Sequence, residues 1–182
     1  MALLGLLQTS IDKLHYFLGR TVSFFTLLMA ALTFVIVLLR YGFDLGWIAM
    51  QETVMYLHAS VFMLGAAMTL RDDGHVRVDI FYRRASPRRK AVIDLVGSVM
   101  LLLPLCLFVL LWSWDYVIRS WQLQEASQAA GGLPYVFLLK TLLLLFAATL
   151  LLQAVADIIR HGLFLANANN GNNGNSKNTS GA

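Results

Sequence analysis

The chain has 182 residues, of which 58% are hydrophobic and only 13% charged, and its mean hydropathy is +0.67. Soluble domains carry about 25% charged residues, so this composition excludes an ordinary water-soluble globule. The net charge of +4 is no mark of nucleic-acid binding, because the cations crowd into one linker between apolar runs.

Four apolar runs, at 21–39, 48–70, 92–112 and 133–159, are long enough to cross a hydrocarbon core of about 30 Å, which takes about 20 helical residues. Backbone amides in lipid must be satisfied within their own segment, so each run is predicted as an α-helix. The fold class is therefore an all-α integral membrane protein with four transmembrane helices. Ahead of the first run, Leu4, Leu7, Ile11, Leu14 and Leu18 recur at steps of three and four, while Gln8, Asp12, Lys13 and Arg20 fall elsewhere. Residues 1–20 read as an N-terminal amphipathic helix at the inner membrane surface, feeding the first span; a plain extension of that span is the simpler alternative. Met1 to Leu7 carries no cation and no small-residue cleavage site follows a proper apolar core, so the segment does not read as a signal peptide.

The second span carries the polar groups. Gln51, His58 and Gly65 are spaced by seven, with Glu52, Ala59 and Ala66 beside them, and such a stripe of polar and small residues predicts a face turned toward protein, in this chain or another. Glu52, in the first turn near the outer interface, is expected to play a structural role with Arg40 as an ion-pair partner; proton coupling is the alternative. His58 lies near mid-span and reads as one interhelical hydrogen bond before it reads as a haem or metal ligand, because His15, His75 and His161 lie at or beyond span ends.

Seven cations (Arg71, Arg77, Arg83, Arg84, Arg88, Arg89 and Lys90) fill the link to the third span. Eleven Lys and Arg then fall on that side of the membrane, against Arg40, Arg119 and Lys140 on the other. Both termini are predicted to face the cytoplasm. The third span opens with Lys90 and Asp94 at i,i+4 spacing, and Pro104 predicts a kink within it. The lone cysteine, Cys106, excludes a disulfide framework and is assigned to packing. Trp112, Trp114, Tyr116 and Trp121 predict an interfacial connection on the outer side. Gly131 and Gly132 break the chain, Pro134 suits the first turn of the last helix, and Lys140 snorkels or meets an acid such as Glu125. Residues 21–162 form one membrane domain, and the Asn/Gly-rich stretch 163–182 is expected to be a disordered tail. With no Gly-rich phosphate loop, no Ser/His/Asp spacing and no His pair on one helix face, neither catalysis nor a cofactor nor a metal site is expected.

From the first span to Ile159 the sequence resembles the small membrane subunit (DctQ type) of tripartite ATP-independent periplasmic (TRAP) transporters. Leu39, Arg40 and Tyr41, then Trp47 and Glu52, match that family's Arg-Tyr and Trp-Glu landmarks, with a wider Trp-to-Glu separation than its commonest form. The run His75, Val76, Arg77, Val78, Asp79 is the family's most distinctive signature, and Ser120-Trp121, Glu125-Ala126-Ser127, Gly132-Leu133-Pro134 and Leu139-Lys140 resemble one subgroup. The resemblance implies a noncatalytic, multi-pass permease component of the bacterial inner membrane. Its implied partners are a large elevator-type membrane subunit (DctM type) driven by a sodium gradient, a periplasmic substrate-binding protein and membrane lipids, with no nucleic acid. Substrate and sodium sites then belong to the large subunit, and the candidate interface or structural residues here are Arg40, Trp47, Gln51, Glu52, His58, Gly65, His75, Arg77 and Asp79. Arg77 and Asp79 are expected to fix the end of the second span by charge pairing and capping, with docking of the large subunit as their second role. Two other functions remain open from the residues: a haem-binding membrane anchor of a redox complex, and a self-sufficient proton-coupled small exporter with Glu52 in its cavity.

Overall fold

The computed structural model describes residues 2–72, 74, 82 and 84–178, with side chains for 9–11, 13–72, 74, 82 and 84–167. Among the described residues there are four long helices and no strand: α1 (Ala2–Phe43), α2 (Ile48–Arg71), α3 (Pro87–Gln122) and α4 (Val136–Asn178). Each contains a stretch long and apolar enough to cross a membrane.

The last helix is the spine of the bundle. Of its membrane-length window 44% is buried, against 6% in each of α1 and α2 and 11% in α3. It touches all three others, with α1 and α2 paired on one side and α3 on another. Small side chains allow this approach: Ala147, Ala154 and Ala156 are wholly buried on α4, and without a hydrophobic drive inside lipid it is close packing that holds helices together. Ala67 of α2, Cys106 of α3 and Leu150 of α4 meet at the centre, where the Cys106 thiol takes its expected packing role.

Helix α1 passes without a break through residue 20, the predicted junction between amphipathic segment and first span. Gly19 lies at its crossing with α2, where a Cβ would run into the Met68 sulfur. Helix α2 begins and ends within a residue of expectation. Helix α3 is longer than the predicted 92–112 at both ends. Ser86 caps its start by accepting the Arg89 N–H at 3.4 Å, and Pro87 takes the first turn, where no donor is needed. At the far end the aromatic stretch expected as a connection is helical, because Val117 and Ser120 are buried there and Trp121 packs on Phe137 with ring centres 4.6 Å apart. The predicted disturbance at Pro104 takes the form of a π turn over Ser98–Leu102. The Leu103 N–H bonds the Ser98 carbonyl, and Pro104, which has no N–H to give, follows directly as the second residue of the resumed α-helix.

Helix α4 starts at Val136, so Leu133 and Pro134, expected inside it, belong to the preceding loop. Its backbone stays helical to Asn178, past residue 163, where composition predicts a disordered tail. Leu163 and Leu165 are half-buried and carry the apolar pattern beyond that boundary.

Candidate functional site

Two carboxylates organise the α3–α4 loop. Helix α3 closes with a Schellman motif: the Gln124 N–H reaches the Trp121 carbonyl at 3.2 Å and the Glu125 N–H reaches that of Ser120 at 3.1 Å. Gln124 adopts φ +45, the left-handed conformation usually left to glycine. This turn aims Glu125 back at the helices, where Oε2 accepts the Ser120 hydroxyl at 2.6 Å and the Lys140 ammonium at 2.5 Å. Lys140 also lies 4.0 Å above the Tyr116 ring, so the expected meeting of Lys140 with Glu125 is made. These donors, Lys140 first and Ser120 second, hold the Glu125 carboxyl below the usual carboxylate range.

Glu52 of α2 grips the same loop from the other side. Its Oε1 accepts the Ser127 hydroxyl and its Oε2 accepts the Leu133 N–H at 2.6 Å. Leu133 is thereby held in the loop, its carbonyl taking the Ser127 N–H at 3.0 Å. Gly132 is required by this closeness, since a Cβ there would stand 2.8 Å from Glu52 Oε1 and 2.6 Å from Ser127 Cβ. Arg40, on the last turn of α1, is exposed and does not join Glu52; the expected ion pair is replaced by the two loop donors. Trp47 precedes α2 in an extended conformation and is 61% exposed, beside Met50 and Gly131.

Every exposed residue of α2 falls on one stripe: Ile48, Gln51, Met55, His58, Phe62 and Thr69. Gln51 and His58 thus face away from the bundle, and neither side chain has a hydrogen-bond partner among the described residues; His58 has only the Phe62 ring, centres 6.5 Å apart. Gly65, next on the stripe, sits over Val22 of α1 in a shallow groove with Gly19, Ala66 and Phe62. The structure therefore divides the predicted set: Glu52 ties helix to loop, while Gln51 and His58 are left uncovered by this chain. His75, Arg77 and Asp79 lie outside the described residues.

At the opposite end a polar cluster joins α3 to α4. Asp94 accepts the Tyr82 hydroxyl at 2.7 Å and lies 4.0 Å from His161 Nε2, while Lys90, expected opposite Asp94 along the helix, sits over the Tyr82 ring at 5.0 Å. Asp157 accepts the Gln153 amide at 3.1 Å and approaches Arg160 at 3.5 Å. Gln153 and Asp157 escaped the sequence reading; the signal was their i,i+4 spacing inside a leucine-rich span. His15, placed by sequence beyond the span, is wholly buried and meets the Thr149 carbonyl through Nε2 at 3.2 Å. Among the described residues no three His, Cys, Asp or Glu side chains gather as a metal site.

Helices of membrane-crossing length, polar groups spent on tying helices and loops together, and a polar stripe left bare define a multi-pass helical membrane component. The family model for the DctQ component of tripartite ATP-independent periplasmic transporters matches residues 29–162, and the chain belongs to that family. A Haemophilus influenzae protein that carries the provisional name TRAP transporter small permease protein is 28% identical over 109 residues, 59% of this chain and 67% of that protein. No solved structure matches the chain.

Proposed function

We propose that this chain is the small, noncatalytic subunit of a TRAP permease, packing as a scaffold against a large elevator-type subunit of DctM type. A periplasmic binding protein delivers the solute, and a sodium gradient drives its uptake through the large subunit. The observation that carries this reading is the openness of the bundle, with only 6% of the membrane windows of α1 and α2 buried by their own chain. An elevator needs a stationary frame, and an open layer of helices enlarges such a frame by giving its free faces to a larger neighbour and to lipid. Membership of a family defined as one component of a tripartite transporter supports the same conclusion. The arginine-rich link faces the cytoplasm of a bacterial inner membrane, as do both termini, with residues 1–20 meeting the inner surface and 163–182 forming a tail. Arg77 and Asp79 fix the inner end of α2 by charge pairing and capping and, as a second role, dock the large subunit.

Glu52 lends no support to a proton-coupled exporter, since both its oxygens are taken by Ser127 and Leu133. Reconstitution tests the proposal. Liposomes holding this chain alone are expected to be inert, and addition of the large subunit and binding protein to give sodium-dependent uptake; transport by the chain alone, lost in Glu52→Gln, would overturn it.

A further inference from the structure

We infer that the exposed α2 stripe through Gln51, Met55, His58 and Phe62 is the seat of one transmembrane helix of the large subunit, and that this helix offers His58 a hydrogen-bonding side chain at mid-membrane depth. The inference rests on the subunit reading above and adds to it the face and the chemistry of the contact.

The stripe is regular. Its residues advance by three and four along α2 from Ile48 to Phe62, the spacing of one helix face. Outside the stripe no residue of α2 is exposed, and the helix packs on α1 and α4. Lipid is a poor neighbour for this face. An imidazole eleven residues into a 24-residue spanning helix sits far from water at either end, and a ring nitrogen there is satisfied only by protein. Gln51 can reach the interface; His58 cannot.

Below His58 the face changes from a ridge to a hollow. Phe62 stands 73% exposed, and next to it Gly19, Gly65 and Ala66 floor the groove between α1 and α2. A partner helix can lie along this hollow with Phe62 packed to its side, since small residues let backbones approach. A second copy of this chain fits less well. Two copies in one membrane pair about an axis along its normal, which brings seam residues of equal depth together, so a seam along this stripe would set Phe62 against Phe62, hold the two backbones apart and leave both hollows unfilled. The occupant is therefore a helix of different sequence, and the family supplies one in the large subunit.

Photo-crosslinking in the intact complex reads this directly. A photoreactive residue in place of Gln51, Met55, His58 or Phe62 should join this chain to the large subunit, while the same residue at Leu105 or Leu111 on α3, also exposed, should not. Homodimeric adducts at the stripe, or adducts to the large subunit from α3 alone, would overturn the inference and leave the subunit reading intact; failure to copurify with the large subunit at all would overturn the subunit reading itself. His58→Leu should weaken copurification by about 3- to 30-fold, the range for one interhelical polar contact, and His58→Gln should restore much of it. An equal loss in both variants, with folding of the separate chain unchanged, would remove the hydrogen bond from the proposal.

Discussion

At the scale of single residues, the two carboxylates that hold the α3–α4 loop do different work with the same chemistry. Glu52 accepts one hydroxyl and one backbone N–H across the interval from α2 to the loop, and Glu125 accepts a hydroxyl and an ammonium from the helices that flank it. Because Glu125 is held below the usual carboxylate range, its ionised form is favoured by the folded state. The stability it adds is complete above the pKa of the unfolded chain and is lost as pH falls through the lower, folded value. Thermal unfolding of the purified chain in detergent should show the melting temperature level near neutral pH and falling in acid. In Glu125→Gln the neutral plateau should be lower and the acid fall shallower; an unchanged difference between the two proteins at every pH would remove Glu125 from the account. The landmark glutamate was visible in the sequence, but its partners were not. Arg40 is nearby in sequence and opposite in charge, whereas Ser127 and Leu133 are brought to Glu52 only by a loop that folds back about 80 positions further on, and no local pattern announces that return.

At the scale of elements, helix existence was legible and helix ends were not. The apolar runs marked all four helices because a membrane demands length and uniform hydropathy. The ends depend on particular hydrogen bonds: Ser86 starts α3 and the Schellman turn at Gln124 stops it. An expected boundary at Trp112 failed because Val117 and Ser120, set among aromatic residues suited in composition to an interface, continue the face that packs on α4, with Trp121 against Phe137. The cap makes a specific forecast. Gln124 holds φ +45, a conformation that costs a non-glycine residue about 1–2 kcal/mol, so Gln124→Gly should stabilise the chain by about 1 kcal/mol, offset in part by greater freedom of the unfolded chain. A higher melting temperature with an unchanged circular-dichroism spectrum is the expected result, and a lower one would show that the Gln124 side chain, whose amide reaches the Trp121 carbonyl at 2.9 Å, outweighs the strain.

At the scale of the whole molecule, α4 is the member on which the others depend, although its sequence reads as the most lipid-like of tails. Leu138, Leu145 and Leu152 leave one side of it exposed, while the wholly buried Ala147, Gln153, Ala154 and Ala156 show where the centre lies. Hydropathy cannot separate the two, since side chains that suit lipid also suit the interior of a bundle. The chain is thus built outward from one rod, and α3 must keep the same side toward it for its whole length. Its buried positions show how this is done: Ala91 and Ser98 are seven apart, Ser98 and Cys106 eight, Cys106 and Val117 eleven. The odd interval spans the π turn, which absorbs one surplus residue that would otherwise swing the outer half of the rod through about 100°. Excising Val99 should therefore leave every later residue in its present orientation and harm the fold only by forcing Pro104 into a regular helix, at a cost of about 3 kcal/mol. Combining that excision with Pro104→Ala should recover a monodisperse, cooperatively melting protein, whereas excising Leu110 should not. The surplus residue and the imino acid form a matched pair, and losing the residue alone is worse than losing both.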